Sequence, residues 1–338
     1  DKIEAKETAK RLGLPLVPGS AGEVKSAQEA KSIAKDFGYP IVIKAAAGGG
    51  GKGIRIVNNE SEIEESFALS KNEAKAFAND SLYIEKYIIQ PRHIEVQIIG
   101  DKYGNVVHLF ERECSLQRNN QKILEEATSP ALTDEERNYI CNLTANAMKT
   151  LGYYSAGTVE YLYSDGKFYF MEMNTRIQVE HTVTESITGL DLIFEMIKIA
   201  NGSKLKVTQN DIKAIGHAIE CRILAEDPKT FLPTPGKITY FHPPAGLGVR
   251  VDTGIYTGYT VVPYYDSMIA KLIVYGTNRE HCISRTKRAL EEFVIEGIKT
   301  SIPLHLDLLN NEDFKAGNFH IKWLEEDFFP KYNSIKKK

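Results

Sequence analysis

The sequence predicts an α/β (α+β) chain. Runs with the two-residue period of strands alternate with helical periods, Gly, Pro, Asn and Asp clusters separate them, and charged residues are set inside several of the strand-like runs. At 338 residues the chain is long enough for two or three substructures with sizeable cores. A hydrophobic share of 42% and a formal charge of −3 give no reason to expect a nucleic-acid partner. Cys114, Cys141, Cys221 and Cys282 lack zinc spacing and read as reduced structural thiols. No apolar run of about 18 residues, secretory signal or repeat is visible. No membrane partner is therefore expected, and the expected location is cytoplasmic, with an organelle matrix as the alternative.

Residues 1–20 read as a helix and lead-in segment. Residues 21–84 read as a small subdomain with helices over about residues 26–37 and 61–77. Between them Tyr39-Pro-Ile-Val-Ile-Lys44 forms a buried strand ending in a lysine, followed by five glycines within residues 48–53. Glycines leave N–H groups unobstructed and let backbone approach phosphate oxygens closely. The loop is not a Walker A motif, because Gly53-Ile-Arg-Ile-Val57 continues as a strand rather than opening a helix. Strand, glycine flap and strand predict a lid over nucleotide phosphates, with Lys44 neutralising them.

Residues 85–203 read as the central part. Ser81-Leu-Tyr-Ile-Glu85-Lys86-Tyr-Ile88 is a β-prone run that turns polar, as a hinge against a nucleobase edge would. Arg92-His93-Ile-Glu95-Val-Gln97 alternates strictly, and the segment from Glu111 to Lys122 is too rich in hydrogen-bonding groups for an ordinary core strand. A helix is expected over about residues 133–151 and another after Gly189. From about Gln209 onward, short β-prone runs with Pro-Gly turns predict a small sheet or barrel-like module, capped by a helical period over residues 279–293. Lys336-Lys-Lys338 reads as a frayed end.

The densest chemistry lies in Phe170-Met-Glu172-Met-Asn174-Thr-Arg176-Ile-Gln178-Val-Glu180-His181. Such a concentration of charge is costly unless something charged binds there. On extended backbone Glu172 and Asn174 share one face, while Met171 and Met173 take the other. Glu160 comes from the preceding strand-like run, and Ser164-Asp-Gly-Lys167 predicts a hairpin. A two-residue turn at Asp165-Gly166 would pair Glu160 with Met171 and put Glu160 and Glu172 on opposite faces, whereas a three-residue loop would set them opposite each other. Only the second register makes a common metal site, and both remain open at this point. Hard oxygen ligands favour Mg²⁺ or Mn²⁺. Arg176 offers a bidentate fork for a small anion, and Gln178 with the Val179 backbone can orient another oxygen. Arg222, inside the apolar run Ile219-Glu-Cys-Arg-Ile223, requires a partner. Asp266 precedes a helical-looking apolar segment and reads either as a group orienting Arg222 or as a helix N-cap.

These clusters, in this order, resemble the ATP-grasp ligases, and within them the biotin carboxylase component of biotin-dependent carboxylases. The resemblance rests on Lys44 with the glycine loop, Glu85-Lys86-Tyr-Ile-Ile-Gln-Pro-Arg-His93, Gln117-Arg-Asn-Asn-Gln-Lys122 and the segment from Glu172 to His181. It continues through Gly216-His-Ala-Ile-Glu-Cys-Arg222-Ile-Leu-Ala-Glu-Asp-Pro228, Phe231-Leu-Pro-Thr-Pro-Gly236 and Pro263-Tyr-Tyr-Asp266-Ser-Met-Ile-Ala-Lys271. It implies an ATP-grasp fold, with a lid over residues 21–84 and a central subdomain over 85–203, followed by a small β-rich C-terminal domain with helices over 204–338. The implied reaction activates bicarbonate with ATP as carboxyphosphate and carboxylates N1 of carrier-borne biotin.

By the same resemblance Lys2, Lys44, Gly49, Gly50, Gly51, Glu85, Lys86, Ile88, His93, Gln117, Asn120 and Lys122 contact ATP, held between lid and central part. Glu160, Glu172 and Asn174 bind the metal. Arg176, Gln178, Val179, Glu180, Arg222 and Asp266 meet the substrates, and Glu180, Arg222, Arg176 and Lys122 carry the chemistry. Glu180 is the expected base for bicarbonate, and Arg222 the group that stabilises charge on the biotin ring. A biotin carboxyl carrier, a carboxyltransferase and a homo-oligomer are the expected partners. Two features depart from the family. Asn120 stands where a histidine is usual, and the family's additional N-terminal α/β domain is not in this sequence, which starts at Asp1-Lys2, so a fragment, a processed product and part of a longer polypeptide are all open, with inactivity of the isolated chain among the expectations. Two rival readings are another ATP-grasp carboxylate-amine ligase and a non-catalytic nucleotide-binding or assembly fragment.

Overall fold

In the computed structural model, residues 2–20, 22–45, 54–75 and 81–335 are described. They divide into two compact units, residues 1–89 with 167–172, and residues 90–166 with 173–338. Among the described residues no helix is long and apolar enough to cross a membrane.

The first unit is built from α1 (Lys2–Arg11), α2 (Ala27–Phe37), β1 (Ile41–Ala45), β2 (Ile54–Val57), α3 (Ile63–Lys75) and β3 (Leu82–Lys86). The Ser26 hydroxyl starts α2 by accepting the Glu29 N–H at 3.2 Å, which satisfies one of the donors a helix start leaves open. The strands form an antiparallel sheet ordered β2-β1-β3. Alternation sends Ile41, Ile43, Leu82 and Ile84 into a core with Ala30, Ala34, Ile63 and Phe67 of the two helices. Residues 167–172 belong here because the Phe170 N–H donates to the Pro15 carbonyl at 2.6 Å.

The second unit begins with β4 (Arg92–Gly100), β5 (Val106–Arg118), β6 (Gln121–Ala127), α4 (Asp134–Leu151) and β7 (Ser155–Ser164); of the hairpin strand β8 (Lys167–Asn174) only residues 173 and 174 fall in it. It continues through α5 (His181–Thr188), α6 (Leu192–Ala200) and β9 (His217–Leu224). Two short antiparallel pairs follow, β10 (Gly236–Lys237) with β13 (Thr260–Val261), and β11 (Tyr240–His242) with β15 (Val294–Glu296). The remaining elements are β12 (Val249–Thr253), β14 (Met268–Gly276), α7 (Arg279–Glu292), α8 (Ile302–Asn310), α9 (Glu312–Ala316) and α10 (Phe329–Ile335).

One eight-stranded sheet runs β12-β14-β9-β6-β5-β4-β7-β8. The C-terminal β-rich module is thus not closed on itself, since β9, β14 and β12 extend the central sheet through the β6 to β9 pairing. Its apolar face packs on α7 and α8 through Ile219, Cys221, Leu272, Val274, Leu290 and Leu308.

Three local departures shape this sheet. Asn119 and Asn120 both take the left-handed conformation, φ 51° and 61°, making the tight turn between β5 and β6 that Asn tolerates better than most residues. Beyond it, Gln117 pairs with Lys122 while Leu116 pairs with Leu124, so Ile123 is an extra residue and β6 carries a bulge. Ile123 and Leu124 consequently both enter the C-terminal core. The third departure is in the acidic hairpin, where Asp165 and Gly166 have φ 51° and 73°, the two-residue turn. Counting out from it pairs Glu160 with Met171, the register expected to set Glu172, and Asn174 with it, on the face away from Glu160. The strict alternation is broken before Asn174, however, since Met171 and Glu172 are successively exposed.

Two expectations are corrected. The run after Asp266 is the strand β14, held between β9 and β12; a short apolar run rich in Ile and Val fits either structure, and pairing on both edges decides for strand. Asp266 accordingly caps no helix, and its carboxylate accepts the Met268 N–H at 2.8 Å ahead of the strand. The sequence reading also passed over α5, whose β-branched residues are poor helix formers. It is stabilised by burying Val183 and Ile187 against Ala127, Ala218 and Ile273 of the sheet.

Two glycines separate backbone strain from crowding. Gly152 ends α4 at φ +71° with open space around it, whereas Gly216 has φ +70° and a Cβ there would collide with the Gly276 carbonyl oxygen. Gly152→Ala is expected to cost about 1–2 kcal/mol. Gly216→Ala should cost about 1–3 kcal/mol more, because overpacking adds to the strain. Urea denaturation of the two variants measures the difference, and equal losses would contradict the crowding.

Candidate active site

In the first unit, antiparallel pairing puts Val42 opposite Glu85, so Lys44, two positions on, shares the face of Glu85. Lys44 Nζ donates to Glu85 Oε2 at 2.5 Å, and Lys6 pairs with the other oxygen of the same carboxylate. Lys86 Nζ donates to the carbonyls of Gly38 and Tyr39 at 3.1 and 2.9 Å, and Ile88 is partly buried just past the strand. Glu172 is an exposed position of β8. Gly49, Gly50 and Gly51 lie outside the described residues, as does the side chain of Lys2.

The second unit carries a buried ion cluster centred on Arg112, which is 0% exposed. Its guanidinium reaches Glu95 Oε2 at 3.1 Å, Gln97 Oε1 at 2.6 Å, Thr184 Oγ1 at 3.1 Å, Thr158 Oγ1 at 3.2 Å and Gln178 Oε1 at 2.8 Å. A buried charge needs this number of partners. Gln178, held by one amide atom, donates with the other to Glu160 Oε1 at 2.7 Å, where Asn174 Nδ2 also donates at 2.7 Å. His93 Nε2 lies 3.0 Å from Glu95 and 3.1 Å from Glu160, with the Gln117 amide 3.0 Å from its Nδ1. Burial opposes charge on this imidazole, but the close carboxylates of Glu160 and Glu95 outweigh it and raise its pKa to about 9.

Lys122 sits where the β6 bulge re-aims the strand. It pairs with Glu95 and donates to Glu180 Oε1 at 2.6 Å. Desolvation works against its charge, yet Glu95 and the neighbouring carboxylates hold its pKa well above the usual range. The other oxygen of Glu180 is 3.1 Å from Arg222 Nη2, and Arg222 Nε donates to Glu125 Oε1 at 2.6 Å. Glu180 is 2% exposed and is gripped on both oxygens by cations from β6 and β9. Lys271 Nζ, on β14 directly across from Arg222, donates to the Val179 carbonyl at 2.7 Å.

Most of the expected second-unit residues are brought together: His93, Gln117, Lys122, Glu160, Asn174, Gln178, Glu180 and Arg222 form one connected network. Three stand apart from it. Arg176 is exposed, with Nη1 donating to the Ile177 carbonyl at 3.2 Å. Asn120 is exposed in its turn, and Asp266 bonds its own backbone neighbour. Sequence reasoning missed Arg112, Glu125, Glu220 and Lys271. The available signal was charge inside strand-like runs, which marks such residues as partnered without saying by whom.

The donor set fits a hard divalent ion. Within the second unit Glu160 presents carboxylate oxygens, and Asn174, donating to Glu160 through Nδ2, keeps Oδ1 as a neutral oxygen ligand. His93, Glu95 and Glu160 also present donor atoms within 4.8 Å of one another. That group is already an ion-paired cluster with a protonated imidazole, and so suits a metal poorly.

A small three-stranded unit and a large antiparallel sheet carrying paired acidic and basic residues define the ATP-grasp class. Residues 1–208 match the family described as carbamoyl-phosphate synthase L chain, ATP binding domain, and residues 220–326 match the biotin carboxylase C-terminal domain. The chain is 55% identical over 328 residues to a biotin carboxylase of Haemophilus influenzae, covering 96% of this chain and 73% of that protein. It is 54% identical to biotin carboxylase 1 of Bacillus subtilis, again over 96% of this chain and 73% of that protein. Among solved structures, the biotin carboxylase domain dimer of Hydrogenobacter thermophilus 2-oxoglutarate carboxylase, in complex with MgADP, ADP and bicarbonate, superposes with a TM-score of 0.87 at 52% identity, covering 96% of this chain and 73% of that one. The chain belongs to the biotin carboxylase family.

His93 provides a pH test of the buried cluster. Its pKa is raised from an ordinary 6.5 to about 9, so the stabilisation it contributes is fully present below the unfolded value and is lost as pH rises through the folded one. His93→Gln is expected to flatten the stability profile across that window, removing up to about 3 kcal/mol at its acidic end. Denaturation of both proteins at several pH values checks this, and parallel profiles would sink the assignment.

Proposed function

We propose that this chain carries out the ATP-dependent carboxylation of biotin with bicarbonate, the first half-reaction of a biotin-dependent carboxylase. The observation that carries the reading is the buried Glu180 carboxylate, held on one oxygen by Lys122 and on the other by Arg222, beside the Gln178 and Val179 backbone. This arrangement supplies a base, two cations and an amide within one short segment.

In the proposed sequence an oxygen of bicarbonate attacks the γ-phosphorus of ATP and ADP leaves, giving carboxyphosphate. Glu180 takes the bicarbonate proton, which raises the nucleophilicity of the oxygen and prepares the product to break into carbon dioxide and phosphate. Arg176, whose guanidinium is exposed, swings to bicarbonate as a fork, while the Gln178 amide and the Val179 N–H orient it. The Val179 carbonyl is already engaged by Lys271. Lys122 balances the charge of the anion and of Glu180. The phosphate released with carbon dioxide takes the proton from N1 of biotin, N1 bonds the carbon of carbon dioxide, and Arg222 stabilises the negative charge that develops on the ureido oxygen. Asp266 lines the biotin-facing side.

Lys44, Glu85, Lys86, Ile88 and the glycine loop bind the nucleotide, as does Lys2. His93 and Gln117 contribute by fixing the carboxylate Glu160, and Asn120 replaces a side chain that usually contacts the nucleotide, which lowers base discrimination without abolishing it. Glu160, Glu172 and Asn174 would hold Mg²⁺ or Mn²⁺, which when bound neutralises phosphate oxygens of ATP. The carboxyl acceptor downstream is a carrier-borne biotin, with a carboxyltransferase and a second copy of this chain as further partners. The dimeric biotin carboxylase domain among the similar structures supports the last.

Two experiments test the reading. Glu172→Gln is expected to reduce Mg²⁺-dependent ATP turnover far more than it reduces stability without nucleotide; equal effects on both would remove Glu172 from the metal site. In the full-length protein, Arg222→Ala should lose carboxylation of free biotin by about 10²–10³ while bicarbonate-dependent ATP cleavage remains detectable. Glu180→Gln should depress both reactions. Carboxylation by Arg222→Ala at the parent rate would overturn its role, and normal ATP cleavage by Glu180→Gln would overturn the base.

A further inference from the structure

Glu220 takes no part in the chemistry proposed above, yet it is a fully buried carboxyl in the middle of the sheet, 0% exposed. Cross-strand register sets it directly opposite Glu125 of β6, a position where Cβ atoms are about 4.5–5.5 Å apart. Two carboxylates in that relation repel strongly in a dry interior. Each also keeps one oxygen without a hydrogen-bond partner among the described residues: Glu125 Oε2 and Glu220 Oε1 are both buried and unsatisfied there. Their other oxygens are engaged, Glu125 Oε1 by Arg222 and Glu220 Oε2 by the Thr182 hydroxyl of α5.

One proton resolves both defects. We propose that Glu220 is held as a neutral acid whose Oε1–H donates to Glu125 Oε2, and that this shared proton positions Arg222 and the Val179–Glu180 segment. With the proton there, Glu125 keeps its full charge for Arg222. Lys271, 3.7 Å from Glu220 and 3.8 Å from Asp252, is then not drawn into a tight ion pair and gives its hydrogen bond to the Val179 carbonyl at 2.7 Å. The groups facing Glu220 are Glu125 from β6, Lys271 from β14, Arg222 from β9 itself and the Thr182 hydroxyl from α5. Burial above all, then the charge of Glu125, push the Glu220 carboxyl up to about 8, with Lys271, Thr182 and Arg222 opposing. Loss of the proton above that pH would place two negative charges side by side, pull Lys271 toward Glu220 and release Val179. Glu220 and Lys271 are thus positioning residues, acting through Arg222 and the backbone before Glu180. The inference rests on the roles proposed for those two groups, but the proton itself can be detected without them.

The test uses the full chain and Glu220→Gln, which keeps a donor at the same place and cannot ionise. Infrared difference spectra of parent against variant at neutral pH should show the C=O stretch of a protonated carboxyl that the variant lacks and that titrates away as pH rises through about 8. Absence of that band in the parent would overturn the shared proton, whether or not the protein turns over. In a preparation that turns over, parent kcat for bicarbonate-dependent ATP cleavage should fall as pH rises through the same range while KM for ATP stays constant, and Glu220→Gln should lack that step. Lys271→Met should lower kcat about tenfold or more, with Lys271→Arg restoring most of it. A step that persists in Glu220→Gln, or parent-like kcat in Lys271→Met, would overturn the positioning role. A parent without bicarbonate-dependent cleavage would count against the proposed function instead, leaving the infrared result to decide the proton.

Discussion

The Arg112 guanidinium, with no exposed surface, is the constraint from which the second unit's geometry follows. It stands on β5 and bonds Glu95 and Gln97 of β4, Thr158 of β7, Thr184 of α5 and Gln178 of the segment between β8 and α5. Desolvating such a charge would be prohibitive for one partner, so several elements must present oxygen to it at once. That requirement sets which strands are adjacent and where α5 lies over them. It also fixes Gln178, and through Gln178 the carboxylate of Glu160. Charge in this protein is therefore structural before it is chemical: the same interaction that completes the core delivers two site residues to defined places.

A second consequence is electrostatic balance. Lys122, Arg222, Arg112 and protonated His93 are interleaved with Glu95, Glu125, Glu160 and Glu180, so that no buried carboxylate of the group faces only other carboxylates. Register also sets carboxylates opposite one another, as Glu95 to Glu160 and Glu125 to Glu220; His93 lies between the first two, whereas in the second pair the orphaned oxygens point to a proton instead of a cation. Preorganised dipoles and charges of this kind act on a reaction without having to reorganise during it. A site that handles bicarbonate, carboxyphosphate and a ureido anion in turn has use for a frame whose own charges are already compensated.

Much of this was legible in the sequence, and the parts that were not share a cause. The helix expected over about residues 133–151 is α4, which the structure starts with a reciprocal capping box of Thr133 and Glu136, and the hinge, acidic hairpin and Arg222 segments stood out because charge inside apolar runs is rare. The strand after Asp266 was misread because Met268 to Val274 is largely apolar, and only its neighbours distinguish strand from helix. The helices α8 to α10 went unread for the same reason: Leu304, Leu308, Phe314 and Phe329 find their core only in a cluster shared with β9, β14 and α7. Arg112, Lys271 and Glu220 were invisible as site residues because their partners are brought by pairing between distant segments. Local chemistry shows in the letters, whereas which face and which neighbour a letter meets is settled by register.

The bulge at Ile123 makes that point sharpest. Because one unpaired residue separates the ladder around Lys122 from the ladder around Leu124, Lys122 and Glu125 serve the same cluster although strict alternation would part them. Deleting Ile123 would leave the identity of every charged residue intact and still dismantle the cluster, since Lys122 would swing to the opposite side of the sheet and Glu180 would lose one of its two cations. The number of residues between the turn and the strand is itself a component of the site, and a chain could lose its chemistry there through length alone.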